Sequence, residues 1–522
     1  MRSFKLVSSI MALVLVLTVL AGAPAYAQSA KSATWAVSVT YQNVGSDPAV
    51  INVAFYEEGS GTAINFNPLE GIGDGTLAGG AGASFWIGSV SGISDGWRGS
   101  AVMQADQPLV ATVVQFSTDS GVDTMRLLSN GFQTSDASSQ YLVATTLLNK
   151  WHRTTVFSIQ NTESSTIQAT VKFYDADNNG QLASTVVHTI PAYSCKYIDM
   201  SNTSDTGLSA STTSFNGSAI VTAVLQGTTT SAKVVAAASE YYIDRGVAAN
   251  FEGMPLSRAD TTIYMATGIC ERFGLDTFYA VQNASLTDNA YIEVTYRDTS
   301  GSQIATDGRY QIGPGQKHSI ITCSPSDGTN MNNFTGSAVI KSYSAATGSD
   351  PGASIVAIGK AATSQNHPTS ASTNAFTAFV SEPSGVSKLA LPFIRWASNA
   401  NFVSSQPSKQ RSYIAIQNLE SSQIKVNLTY KDRNGNTAGS TQTLTIPGYS
   451  KANSDPSSAG AVAAGAALGM NSGEFGYYTD GGYGAGTIVE AHPDNPTAKF
   501  IAIVRVTNGA GAQEDYNGPP VP

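Results

Sequence analysis

The stretch Thr155-Val-Phe-Ser-Ile-Gln-Asn161, with Val171-Lys-Phe-Tyr-Asp175 behind it, decides the fold. Apolar residues alternate with Thr, Ser and Gln, so one face of an extended chain suits a core and the other suits water. Val, Ile, Phe and Thr are the types that fit a pleated, half-buried surface. The pattern recurs, with Gln42-Asn43, Gln160-Asn161, Gln282-Asn283 and Gln417-Asn418 each closing such a run. Val53–Tyr56, Val171–Asp175, Val294–Asp298 and Leu428–Asp432 follow, and the spacing from Asn to the matching aromatic is 12, 12, 13 and 12 residues. Repetition of a whole folding unit favours a structural or binding array over a single active site.

Each unit continues alike. Polar turns follow at Asp175–Gly180, Asp298–Gly301 and Asp432–Gly435, where Gly accepts the positive φ of a tight hairpin. The next strand stops at Ile190-Pro191, Ile312-Gly-Pro314 and Ile446-Pro447, because Pro has no N–H for a ladder. A later run opens at Gly99-Ser-Ala-Val102, Gly217-Ser-Ala-Ile220, Gly336-Ser-Ala-Val339 and, more loosely, Gly486-Thr-Ile-Val489. About seven short strands per unit of about 120 residues, with no long amphipathic helix, predict a two-sheet antiparallel β-sandwich. A propeller blade would be about 40–50 residues.

The expected fold is all-β, a tandem array of four sandwich domains. Its segments are a signal peptide over 1–27, then repeats over 28–133, 139–255, 260–382 and 388–516. The linkers are short, so neighbouring repeats should touch. The first and fourth depart from the pattern, with a Gly-rich loop at Gly71–Ala83, an Ala-rich run at Ala459–Leu468 and a Gly/Tyr segment at Phe475–Gly484. Loops that vary on a constant scaffold are where a specific function sits.

The first residues read as a secretory signal: basic Arg2 and Lys5, an apolar run from Leu6 to Leu20, and Ala25-Tyr-Ala27 as the cleavage site. The mature chain then starts at Gln28, and no later run is long and apolar enough for a membrane anchor. Loss of Arg2 and Lys5 takes the net charge from −9 to −11. Only 12% of residues are charged, and no basic stripe exists for nucleic acid. Of the three cysteines, Cys270 and Cys323 share a repeat and can pair, leaving Cys195; three unpaired thiols fit the sequence equally.

The order Ile-Gln-Asn, Val-x-Phe-Tyr-Asp, Gly turn, Ile-Pro and Gly-Ser-Ala-Val resembles a β-sandwich repeat of secreted bacterial surface proteins. The resemblance is clearest in repeats two to four. It implies Ig-like extracellular modules, mostly of unassigned function, and brings no catalytic residue.

Candidate chemistry is sparse. Asp175, Asp177 and Asn179 match the first half of a calcium loop, although its twelfth position is Val186 rather than Glu; the competing reading is an Asx-rich hairpin turn. Calcium is the one cofactor with any candidate residues. Trp86 and Trp97 stand near the Gly-rich loop as either a sugar-stacking platform or core. Tyr477, Tyr478 and Tyr483 offer an assembly loop, against a plain mobile one. His152, His188, His318, His367 and His492 are scattered without ligand spacing.

These features lead to the expectation of a non-enzymatic structural or adhesive protein, secreted to the cell surface as part of a surface layer, filament or matrix. Its partners would be itself or other cell-envelope proteins, and no nucleic acid. The alternative is an extracellular carbohydrate-binding protein, with polysaccharide as partner.

Overall fold

A computed structural model describes residues 34–70, 74–117, 126–242, 246–364 and 375–521. The expected signal peptide, His367 and residues 71–73 of the Gly-rich loop lie outside them. The chain is all-β, with eight antiparallel sheets. Among the described residues α-helix is confined to single turns, α1 (Thr203–Thr206) and α2 (Ala461–Gly465). The latter lies in the Ala-rich run.

The first repeat contributes β1 (Trp35–Asn43), β2 (Ile51–Glu57), β3 (Ala63–Phe66), β4 (Gly82–Trp86), β5 (Gly99–Ala105), β6 (Leu109–Ser117) and β7 (Arg126–Asn130). The second contributes β8 (Gln140–Leu148), β9 (Arg153–Asn161), β10 (Ile167–Asp175), β11 (Gln181–Ile190), β12 (Cys195–Asp199), β13 (Phe215–Leu225), β14 (Val234–Tyr242), β15 (Val247–Glu252) and the short β16 (Met254–Pro255). The third contributes β17 (Thr262–Cys270), β18 (Leu275–Asn283), β19 (Ala290–Asp298), β20 (Gln303–Ile312), β21 (Lys317–Ile321), β22 (Phe334–Tyr343), β23 (Ile355–Thr363) and β24 (Phe376–Val380). The fourth contributes β25 (Lys388–Leu391), β26 (Gln410–Asn418), β27 (Ile424–Asp432), β28 (Gln442–Ile446), β29 (Lys451–Ser454), β30 (Ala485–Ala491), β31 (Phe500–Asn508) and β32 (Gln513–Asn517).

Two sheet orders recur. One is β4-β1-β6-β7, repeated as β12-β9-β14-β15, β21-β18-β23-β24 and β29-β26-β31-β32. The other is β8-β13-β10-β11, extended by β16, and repeated as β17-β22-β19-β20 and β25-β30-β27-β28. In the first repeat this second sheet has three strands, β3-β2-β5. No described strand stands where β8, β17 and β25 stand in the other repeats.

The Gln-Asn motif has a structural reason. Asn161 Nδ2 donates to the carbonyls of Ser165, Ile190 and Pro191. Asn418 does the same to Ser422, Ile446 and Pro447. The amide thus ties its own turn to the Ile-Pro turn, and the bond to the Ile carbonyl is made away from water, where an unpaired carbonyl is costly. The neighbouring Gln reaches out of the repeat instead. Gln160, Gln282 and Gln417 donate to the carbonyls of Ala101, Ala219 and Ala338, each in the preceding repeat.

The register also corrects the alignment of the last repeat. Gly99, Gly217 and Gly336 lie opposite Glu57, Asp175 and Asp298, and the fourth repeat places Ala485, not Gly486, opposite Asp432. Ser100, Ser218 and Ser337 therefore correspond to Gly486. Each of those serines donates to a turn carbonyl of the next repeat, Tyr193, Gly315 and Tyr449. Gly486 lies against the Gln42 amide of the first repeat, and Gly82 N donates to Arg433 O at 3.2 Å. The fourth repeat thus meets the first at the equivalent place, although Gln42 Nε2 here donates to Gly80 O of its own repeat, and the array closes into a ring.

The strands β7, β15, β24 and β32 adjoin in sequence around its centre. Arg126 pairs with Glu514 at 3.1 Å, Asn130 N donates to Glu252, and Asn517 exchanges two bonds with the Val380 backbone. Apolar cores merge across the joints. Val356, Ile358 and Phe376 of the third repeat pack into the core of the second, and Val114 and Leu128 of the first into that of the fourth. Each such side chain withdrawn from water contributes about 1.5–3 kcal/mol.

Candidate functional site

The break in the fourfold pattern leaves a recess. A groove of about 2070 Å³ runs between the first and second repeats. Its floor and walls include Val39 and Phe55 of the first core, Met103 on β5, and Cys195 and Tyr197 on β12. Trp86 and Trp97 both line it. Trp97 packs edge-on to Phe55 with ring centroids 6.1 Å apart, because it holds the position that Phe215 and Phe334 hold two residues ahead of their glycines. Trp86 is 42% exposed and leans on Phe116.

β5 is exposed along the edge that no described strand covers. Ala219, Ile220 and Val221 are buried beneath β8, and Ala338, Val339 and Ile340 beneath β17. The matching Ala101 is exposed, and Val102 and Met103 are only half-buried. On the second-repeat wall, Glu58 from the first repeat accepts from Tyr197 N at 2.9 Å and lies near Lys196. Arg98 pairs with Glu58 and covers the Tyr197 ring at 4.7 Å. Burial pushes the Cys195 thiol up to about 12, so its sulfur is protonated at neutral pH and a poor nucleophile.

At the next two joints the same place holds a buried lysine. Lys317 and Lys451 correspond to Cys195, each paired with the Gln of its motif. Lys317 Nζ reaches Thr145 Oγ1 at 3.2 Å, and Lys451 Nζ reaches Thr267 Oγ1 at 3.1 Å. Thr145 and Thr267 sit on β8 and β17, strands with no described counterpart in the first repeat. Burial pulls both amines down to about 7. Near Lys317, Lys360 binds Glu240 at 2.5 Å, which keeps that carboxylate ionised although buried.

The other sequence candidates lie elsewhere. Asp175 Oδ1 caps the turn by accepting from Asp177 N, and Asn179 takes the left-handed conformation. The Asp177 carboxylate receives Lys150 Nζ at 2.5 Å and Asn216 Nδ2 at 2.7 Å. An ammonium already supplies the positive charge there, so this donor set does not fit calcium as it stands. Tyr477 and Tyr478 are buried; their hydroxyls accept from Gln410 N and Arg433 N. They anchor their loop rather than display it, and of the three only Tyr483 is exposed. Cys270 and Cys323 form a disulfide with Cα atoms 5.0 Å apart, and Cys195 is free and buried. Among the described residues, the cluster of three metal-type donors is Cys270, Asp276 and Cys323, and the disulfide removes two of its ligands.

Sequence reasoning missed the groove because an absent strand leaves no motif. The signal available was the short interval before β1: an apolar strand stands four residues ahead of the Gln-Asn strand in the second and third repeats, and among the described residues none does so in the first.

No family model matches the chain, and no curated protein matches it. Among solved structures, the Anabaena sensory rhodopsin transducer is 16% identical, with a TM-score of 0.15, over 19% of this chain and 92% of its own. Thermotoga maritima 1070 is 9% identical, with a TM-score of 0.18, over 26% and 93%. FlgD from P. aeruginosa is 17% identical, with a TM-score of 0.14, over 20% and 76%. Scores this low carry no argument about function.

Proposed function

We propose that the protein is a secreted, non-enzymatic structural or adhesive component of a cell surface, in a layer, filament or matrix. In this reading a cleaved signal peptide precedes four Ig-like β-sandwich modules, and the mature protein is held at the surface by assembly with itself or other envelope proteins. The observation that carries it is the ring of repeated sheets with a single break in its pattern, the edge at β5. Three joints are filled by the chain itself, and at the fourth no described strand pairs with the open edge of β5, which is a template for pairing with another chain. Immunogold electron microscopy of native cells with antibody to the mature chain is the test. Label in a regular lattice or on fibres is expected; label absent from the surface, with monomer in the medium, overturns the proposal.

A second reading has one observation behind it. Trp86 is exposed on the groove lip, where an aromatic face can stack on a sugar. Quenching of tryptophan fluorescence by polysaccharide, lost in Trp86→Ala, would favour it.

A further inference from the structure

We propose that the first repeat is completed by strand donation: the edge of β5 accepts an extended segment of a second polypeptide, which takes the place that β8, β17 and β25 hold in the other repeats. This deepens the assembly reading above and rests on it for the source of the strand.

The three sister repeats show what covers this edge. β8 runs antiparallel to β13, with Ile220 opposite Leu142 and Val221 opposite Tyr141. β17 repeats this on β22, with Val339 opposite Tyr264 and Ile340 opposite Ile263. Both strands slip register near the glycine, between Gly217 and Ala219 and between Met265 and Gly268. Tyr141, Leu142, Val143 and Ala144 are all fully buried. Their strand is packed on both sides: inward it closes the core of its own repeat, outward it meets the next repeat through Thr145. The groove beside β5 has the same two walls, the first-repeat core and the Cys195 strand of the second. The equivalence fixes the chemistry of the occupant. It is an extended strand antiparallel to β5, with large apolar side chains opposite Val102 and Met103 and a small polar residue facing Cys195.

The chain's own sequence before β1 is a poor donor. In the second and third repeats four residues separate the leading strand from the next, Asn149–His152 and Glu271–Gly274. The same interval before Trp35 would put the strand at residues 22–30, Gly-Ala-Pro-Ala-Tyr-Ala-Gln-Ser-Ala. That segment carries one large apolar side chain, against Tyr141, Leu142, Val143, Leu147 and Leu148 in β8. Pro24 removes a ladder donor, and cleavage after Ala27 would remove two thirds of it.

The test uses the mature chain from Gln28 and a labelled synthetic peptide with the sequence Ser139–Asn149, read by fluorescence anisotropy and hydrogen exchange. Expected is saturable one-to-one binding that slows exchange of the Gly99–Ala105 amides. A Val143→Pro peptide loses a donor and clashes with the pleat, so it should bind at least about tenfold more weakly. Met103→Asp in the protein should weaken the parent peptide without unfolding the chain, because Met103 is only half-buried. Equal binding of both peptides, or exchange at Gly99–Ala105 unaffected by the peptide, overturns the proposal. So does exchange already slow in the free mature chain, which would mean that its own residues fill the edge. Peptide failure alongside surface labelling overturns strand donation alone. Peptide binding without any surface label overturns the cell-surface reading and leaves the acceptor edge standing.

Discussion

Gln282 Nε2 donates to the Ala219 carbonyl at 3.2 Å, across the joint between the third repeat and the second. Its neighbour Asn283 bonds the carbonyls of Asp288, Ile312 and Gly313 within the third repeat. One dipeptide therefore does two jobs, the Asn shaping a repeat and the Gln joining two.

The two residues should fail differently. Gln417→Ala removes one buried bond to Ala338 O and should cost about 1–2 kcal/mol. Asn418→Ala removes bonds to three carbonyls, of which that of Ile446 is buried, and should cost more, about 2–3 kcal/mol. Denaturant midpoints of the two variants check the order.

Closure of the ring places a charge pair at its centre. Arg126 is the partner of Glu514, whose side chain is almost wholly buried. Arg126→Ala leaves that carboxylate uncompensated and should destabilise the chain by about 3 kcal/mol. An unchanged unfolding midpoint would mean that β7 and β32 are not held together.

Lys451 gives the joints a pH dependence. Burial, with Arg505 adding repulsion, lowers its amine to about 7 from an ordinary 10.5. Between those values the folded state is neutral and the unfolded state charged, so the unfolded state binds the extra proton. Stability should therefore rise with pH from about 7 towards 10 and gain nothing from this group below 7. Lys451→Met removes the penalty, raising Tm at pH 6–7 and flattening the rise. A lower Tm at pH 6 in that variant would contradict the account.

The Asp175–Gly180 turn should ignore calcium. Burial raises the Asp177 carboxyl, but Lys150 and Asn216 outweigh it and hold the group below the ordinary range. Millimolar calcium should leave Tm unchanged in thermal melts. Acid should weaken the contact as pH falls through the lowered pKa, since the stabilisation is present only while the carboxylate is ionised.

The strands were legible in the sequence because period-2 alternation and Gly or Pro punctuation are local signals. Thr155–Asn161 and Val171–Asp175 lie in β9 and β10. The leading strands β8 and β17 were not, since Leu142–Leu148 is buried on both faces, lacks period-2 alternation and shares no motif with the Gln-Asn strand. Ring closure was also hidden. It depends on Gln42 meeting Gly486 and on Gly82 meeting Arg433, contacts with no short-range trace. Trp86 and Trp97 could be nominated as a pair, but their groove lies open because no described strand covers β5. Tyr477 and Tyr478 looked like display residues because burial by a neighbouring Arg433 and Gln410 leaves no local sign.

The four repeats close on themselves. Small-angle X-ray scattering of the monomeric chain from Gln28 is the sharpest check of that closure. A closed ring should give a radius of gyration near the compact-chain value, about 23 Å. An open row of four such units would give roughly 40 Å by the same scaling. A value near the larger figure, with the profile of a rod, would contradict the account.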